Sequence, residues 1–102
     1  MDQRLTNIVT QLRQRPGLYI GSPSVVRLRT FLDGYFCALI QANVIDSIPI
    51  ELQEFREFVY RRYPMMDPPS WADLLVSIAG NDESGFQLFE QLWSEFESDH
   101  QG

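Results

Sequence analysis

The sequence has no lysine, one cysteine and one histidine in 102 residues. Without lysine there is no amine for a Schiff base and none to approach a phosphate in a nucleotide-binding loop. The single cysteine, Cys37, excludes an intrachain disulfide, and its place in an apolar helical pattern predicts a buried thiol. The single imidazole, His100, gives too few ligands for zinc and no candidate catalytic triad. We therefore expect a protein that is not an enzyme and holds no cofactor or metal.

Long apolar runs are also missing. No stretch of about eighteen apolar residues is present to span a bilayer. The amino-terminal residues lack the basic and apolar regions of a secretory signal. From these patterns we expect a soluble protein of the reducing cytoplasm that does not contact a membrane.

Basic residues are few, and all of them are arginine. Eight Arg stand against fourteen acidic residues, which gives a formal net charge of −6. Nucleic-acid backbones and anionic lipid surfaces both attract proteins that carry a basic surface. The charge balance therefore argues against nucleic-acid and membrane partners and favours a basic protein partner.

Large apolar side chains are what the chain has in quantity. Hydrophobic residues make up 44% of the sequence and aromatic residues 13%, which is enough for one well-packed core. A chain of this length supports one domain and is too short for two independently stable ones. We predict a single helical domain over residues 1–102, in which residues 98–102 form a frayed tail.

Apolar spacings of three and four residues predict a bundle of about five helices. The first covers about residues 3–14. The second, the longest and most apolar, covers about residues 23–43 and is predicted to be the central helix. Each helix follows a residue that can cap or open it: Asp2, Ser22, Ser47, Ser70 and Asp82. In the fourth helix four side chains are predicted to face the core: Trp71, Leu74, Leu75 and Ile78.

The connector between the first two helices, residues 15–21, is rich in turn-forming residues. Pro16 disfavours helical geometry in the residue before it, and Gly17 permits a turn with positive φ. We expect a short irregular or strand-like connector in which Leu18 and Ile20 fill the core.

Eight residues are candidates for partner contact. Arg15 and Tyr19 of the connector are of types that often anchor protein interfaces. Six glutamates on the third and fifth helices complete the set: Glu51, Glu54, Glu57, Glu83, Glu90 and Glu97. Favourable interaction with the helix dipoles and a contribution to solubility are the alternative roles for these acidic faces.

The segment from Arg15 to Gly21 reads Arg-Pro-Gly-Leu-Tyr-Ile-Gly. It resembles a segment near the amino terminus of the ATPase subunits of type II topoisomerases. That family carries a catalytic glutamate and a magnesium-binding asparagine in the next helix, whereas residues 26–35 of this chain contain neither residue type. The Asp-x-Gly-x-Gly nucleotide motif is missing as well, so this short resemblance does not imply ATP binding.

A longer pattern is similar to a group of small, largely uncharacterised bacterial all-helical proteins. It combines the same segment with Leu28, Phe31, Leu32, Gly34 and Tyr35, and with aromatic helices toward the carboxyl end. Some members of that group are associated with toxin–immunity neighbourhoods. The resemblance implies an all-α fold and an immunity-like function, and it supplies no catalytic residues.

Two functional hypotheses follow. The first is a non-enzymatic, acidic protein-binding module, most concretely a bacterial immunity protein or antitoxin that neutralises a basic toxin. The alternative is a structural or regulatory helical module that forms homo-oligomers through surplus apolar surface at Met65, Met66, Trp71 and Trp93. The partner is a basic protein in the first hypothesis and a second copy of the chain in the second.

Overall fold

The computed structural model describes residues 1–101, and its regular structure is helical throughout. Six helices are present in these residues: α1 (Gln3–Gln14), α2 (Pro16–Tyr19), α3 (Val25–Gln41), α4 (Ile50–Arg62), α5 (Trp71–Ala79) and α6 (Asp82–Gln101). They form one globule with extents of 38 × 30 × 28 Å, which confirms the predicted all-α single domain. None of these six helices is long and apolar enough to cross a membrane. Residues 98–101 of the predicted tail belong to α6, and residue 102 lies outside the described part.

Side-chain caps set the first residue of two helices as predicted. Asp2 accepts the backbone N–H of Leu5 at 2.9 Å at the start of α1. Ser70 accepts the N–H of Asp73 at 3.2 Å at the start of α5. Each bond satisfies one of the amide groups that a helix leaves unpaired in its first turn. Helix α4 begins behind Pro49 and has no side-chain cap.

The caps of α3 and α6 lie one or two residues from their predicted positions. Ser24, not Ser22, caps α3 by accepting a backbone N–H at 3.1 Å. Asn81, not Asp82, caps α6 by accepting one at 2.8 Å. A capping side chain reaches the amide two or three residues ahead. The residue directly before the first helical residue is therefore the one that caps.

The connector between α1 and α3 contains one helical turn, α2, in place of the predicted irregular or strand-like step. Pro16 opens this turn, where its fixed φ and missing N–H suit a helix, and the N–H of Ile20 donates to the Pro16 carbonyl at 2.8 Å. Ile20 is buried as predicted, whereas Leu18 is 69% exposed. The positive φ lies at Gly21, at +85°, and not at Gly17.

The core is centred on aromatic side chains from α4, α5 and α6. Phe55 of α4 is fully buried, and its ring centroid lies 4.9–5.6 Å from those of four other rings in edge-to-face arrangements: Trp71, Phe89, Trp93 and Phe96. Edge-to-face contact brings the positive edge of one ring to the negative face of another. Helix α6, with 20 residues, is longer than α3, with 17. Helix α3 packs on both α5 and α6. It therefore lies at the centre of the bundle as predicted, but shares this position with α6.

Besides that for Leu18, two predictions about burial are wrong. Cys37 is exposed because it lies one position after Phe36 and is therefore rotated by about 100° from the buried stripe of α3. Ile78, predicted to face the core, is exposed near the end of α5. Trp71 is enclosed in the core as predicted, and so is Trp93, so neither adds the apolar surface expected for self-association.

Gly80 and Gly34 form a matched pair for testing backbone conformation. Gly80 ends α5 with φ at +99°, a conformation that strains other residues. Gly34 lies inside α3, and a Cβ built there meets open space. We expect Gly80→Ala to lower the free energy of unfolding by about 1 kcal/mol and Gly34→Ala to raise it by about 0.5–1 kcal/mol. Urea unfolding measures both changes, and a stabilised Gly80→Ala variant would contradict the helix end described here.

Candidate protein-binding surface

Three aromatic side chains, which we call the aromatic row, lie on the surface where α2 meets α3: Tyr19, Phe31 and Tyr35. The rings of Tyr19 and Phe31 meet edge to face with centroids 6.3 Å apart, and those of Phe31 and Tyr35 stack at 6.1 Å. Tyr19 is exposed, while Phe31 and Tyr35 are half-buried. Leu18, the residue next to Tyr19, is largely exposed. The row therefore joins the core at one side and meets solvent at the other.

Helix periodicity explains why α3 presents two of these rings at its surface. Phe31 and Tyr35 are four residues apart and share a face. The buried stripe of α3 includes Leu28, Leu32 and Phe36, which is rotated by about 100° from that face. Spacings of three and four residues connect all five side chains in one apolar pattern along α3, although they lie on two adjoining faces. Phe31 and Tyr35 each come one residue before a buried residue, Leu32 or Phe36. This offset of one residue distinguishes the aromatic row from the core stripe.

The connector after α2 is fixed by contacts with α3. Ile20 is buried, and the Arg27 guanidinium donates to the Ile20 carbonyl at 2.9 Å. A Cβ at Gly21 would lie 2.7 Å from the same guanidinium, so glycine leaves room for this bond. Tyr19 is consequently held in place before any partner arrives, which reduces the entropy lost on binding.

The two connector residues predicted for partner contact lie one turn apart. The N–H of Tyr19 donates to the Arg15 carbonyl at 3.4 Å, and both side chains are exposed. No salt bridge among residues 1–101 involves Arg15. Leu18 lies between Arg15 and Tyr19 in the sequence, so a guanidinium, an aliphatic group and an aromatic ring are exposed within about one turn of the chain. Tyr and Arg are enriched among residues that dominate binding energy.

Two candidate glutamates of α4 contact other helices. The carboxylate of Glu51 accepts the backbone N–H of Asp2 at 2.9 Å, which ties α4 to the start of α1. The Oε2 atom of Glu54 lies 3.3 Å from Nε2 of His100, which ties α4 to the end of α6. Both carboxylates are half-buried. They contribute to helix packing, and a partner would have to compete for them.

Two candidate glutamates of α6 share one arginine of α1. Nitrogen atoms of the Arg13 guanidinium lie 3.5 Å from a carboxylate oxygen of Glu90 and 3.8 Å from one of Glu97. Glu57 and Glu83 are exposed, and neither has a salt bridge within the described residues. The structure does not bring the six glutamates together as one acidic patch with Arg15 and Tyr19.

No protein-family model matches this chain, and no match is found among curated proteins or solved structures. The all-helical fold does not specify a function, because unrelated functions share such folds. Function is therefore inferred from the chemistry of the surface.

A groove of about 580 Å³ lies between α3, α4 and the loop that precedes α5. Trp71 lines it together with Pro68 and Pro69 of that loop. The Tyr60 hydroxyl donates to the Pro69 carbonyl at 2.6 Å and so ties the loop to α4. The sequence pattern did not predict this groove, because its walls come from segments that meet only in the folded chain. Among residues 1–101, no group of three or more His, Cys, Asp or Glu side chains is placed to hold a metal ion.

His100 joins the last turns of α6 to α4. Its Nδ1 lies 3.0 Å from the Phe96 carbonyl oxygen, and its Nε2 faces the Glu54 carboxylate. The Phe96 carbonyl is the largest cause that raises the pKa of His100 above its ordinary value. Glu54 and, more weakly, Glu51 add to this effect, and partial burial opposes it.

The stabilising contribution of protonated His100 is expected to depend on pH. Because the folded pKa is raised, this contribution is complete below the pKa of an unfolded histidine and is lost as pH rises through the folded value. NMR titration reports the pKa directly, since His100 is the only histidine. Glu54→Gln should lower this pKa, and the control Glu57→Gln should leave it unchanged. A His100 pKa no higher than that of a model peptide would contradict the assignment.

Proposed function

We propose that this chain is a non-enzymatic protein-binding module, most concretely a bacterial immunity protein or antitoxin that covers a basic toxin in the cytoplasm. The observation that carries the proposal is the aromatic row, which adjoins exposed Leu18 and is accompanied by Arg15 one turn from Tyr19. This surface supplies the direct contacts. Its tyrosines and its arginine are of residue types that contribute strongly to interface energies.

Burial of apolar surface drives the proposed binding. Leu18 is 69% exposed in the isolated chain, and Tyr19, whose ring contacts Phe31, is 36% exposed. Covering such surface is favourable by roughly 25 cal/mol per Å² of apolar area. Tyr19 is already positioned by the contacts of Ile20, so little of this gain is lost in ordering the connector.

The net charge of −6 acts at longer range. It attracts a basic partner and raises the association rate, while the buried aromatic contacts set the dissociation rate. Glu57 and Glu83 are the candidate glutamates that remain most available to a partner. The other four, which hold helices together, are expected to contribute to the field around the protein more than to direct contact.

The resemblance of the longer pattern, which joins residues 15–21 to apolar residues of α3 and to the later aromatic helices, to small bacterial helical proteins supports the immunity proposal. We propose that the chain is related to that group and that the shared segment builds the α2 turn in each member. Under this proposal Pro16 opens the turn and Tyr19 presents its ring. The lone, free Cys37 is compatible with a reducing compartment.

A pull-down from the native host tests the proposal, with adjacent open reading frames examined for a toxin. We expect the wild-type chain to retain a basic protein and Leu18→Asp to lose it. Ile78→Asp is the matched control, because Ile78 is an exposed aliphatic residue on α5, a different helix, and its replacement should leave retention unchanged. Retention by both variants, or the absence of both a basic partner and a toxin-like neighbour, would contradict the proposal.

Self-association is a second candidate because Met65 and Met66 are 55% and 90% exposed. Methionine surfaces adapt readily to a partner. In that case sedimentation should show a dimer at micromolar concentration, and Met66→Ser should return it to a monomer. A monomer at all concentrations would remove this candidate and leave the immunity proposal in place.

A further inference from the structure

The groove between α3, α4 and the loop before α5 is lined by more positive than negative side chains, whereas the whole chain is negatively charged. Two guanidinium groups, those of Arg29 and Arg56, line it together with one carboxylate, that of Asp33. The chain as a whole has an excess of six acidic residues. The groove is therefore a local cationic site on an acidic protein, and it attracts a negatively charged group.

Neither arginine is tightly paired. Arg29 lies 3.7 Å from Asp33, and the two side chains are 38% and 60% exposed, so water competes with this contact. The Arg56 guanidinium lies over the Tyr60 ring, 5.5 Å from its centroid. No salt bridge of Arg56 occurs within residues 1–101. Stacking on a ring leaves the in-plane N–H groups of a guanidinium available to a carboxylate.

Apolar groups lie beside these charges. Ile48 and Ile50 line the groove and are about half exposed, and Pro68 and Pro69 lie in the loop before α5. Trp71 is buried and held by an edge-to-face contact with Phe55 in the core. The wall formed by Trp71 and by the loop that Tyr60 holds is thus fixed before binding.

We propose that this groove binds a short, extended segment of a protein partner that carries an acidic side chain beside a leucine or proline. The carboxylate pairs with Arg56 and Arg29, and the apolar side chain packs between Ile50 and the proline pair. Grooves lined with aromatic residues receive extended proline-containing peptides because these lose little entropy on binding. A nucleic-acid strand or an anionic lipid surface carries many phosphates and would also face the net charge of −6 over the rest of the chain. The acidic side chain of a short segment would meet mainly the two arginines of the groove.

The probe is the fluorescein-labelled peptide acetyl-Glu-Pro-Leu-Glu-Pro-Leu-Glu, with a twin in which glutamine replaces every glutamate. We expect the acidic peptide to shift the amide NMR signals of Ile48, residues 50–56, Ser70 and Trp71 of the full chain. In fluorescence polarisation the glutamine twin should bind at least about tenfold more weakly, since charge-assisted hydrogen bonds are lost. Binding of the acidic peptide should also weaken with added salt.

Arg56→Gln should weaken binding of the acidic peptide about tenfold. Arg61→Gln is the matched control, because Arg61 is an exposed arginine on the same helix and does not line the groove. It should leave the affinity unchanged, and circular dichroism should show both variants folded. No shifts at millimolar peptide, shifts confined to the aromatic row, or equal affinity for the two peptides would each overturn the proposal. These outcomes leave the proposed function of the aromatic row untouched.

Discussion

Phe55→Ala is expected to lower the free energy of unfolding by about 4 kcal/mol, the range for truncating a fully enclosed phenylalanine. Phe55 has no exposed surface and contacts four aromatic rings that come from α5 and α6. Its removal leaves a cavity between three helices that cannot close without moving α4. For a domain of this size the melting temperature should fall by roughly 15–30 °C. Urea and thermal unfolding followed by circular dichroism measure both quantities.

Phe58→Ala is the matched control for this change. Phe58 lies one turn further along α4, is half-buried, and has one face covered by the Arg62 guanidinium. Because part of its ring is already in solvent, the loss should be about 1–2 kcal/mol. Equal losses for the two variants would show that the aromatic cluster around Phe55 is not the centre of the core.

Tyr19→Ala is expected to weaken binding of the partner recovered from the host by about 30-fold, near the 2 kcal/mol that marks a dominant interface residue. The ring of Tyr19 packs edge to face on Phe31 and is the exposed member of the aromatic row. Truncation removes its contact area without opening the core. Isothermal titration calorimetry or surface plasmon resonance gives the ratio of dissociation constants.

The change caused by Tyr19→Ala should lie mainly in the dissociation rate. Glu83→Gln is the contrasting variant, because it removes one exposed charge from the start of α6. It should lower the association rate modestly and leave the dissociation rate unchanged. A large effect of Glu83→Gln on the dissociation rate, with none from Tyr19→Ala, would indicate that the partner contacts the start of α6 and not the aromatic row.

Local patterns were sufficient to predict α1. Four apolar residues at helical spacing and one aspartate determine this helix, and the structure buries all four: Leu5, Ile8, Val9 and Leu12. The short α2 turn was not predicted, since its position depends on the bond between Arg27 and the Ile20 carbonyl. A four-residue helix has little stability of its own, so contacts from distant residues decide its conformation.

The candidate site was predicted in part. Residue type alone indicates Arg15 and Tyr19 as candidates for partner contact, and both lie exposed within one turn. The glutamates of α6 recur every seven residues, but the pattern does not show that Arg13 of α1 pairs with Glu90 and Glu97. Such pairings depend on how helices cross, which residue spacing within a single helix does not encode.

The most direct test of the proposed binding surface is an amide NMR map of the chain with and without the recovered partner. We predict that the largest shifts and line broadening fall on Arg15, residues 17–19, Phe31 and Tyr35. Smaller changes near Glu57 and Glu83 would agree with a role of charge in the encounter. Changes confined to α4 and the carboxyl half of α6, with the aromatic row unaffected, would contradict the assignment of partner binding to Tyr19, Phe31 and Tyr35.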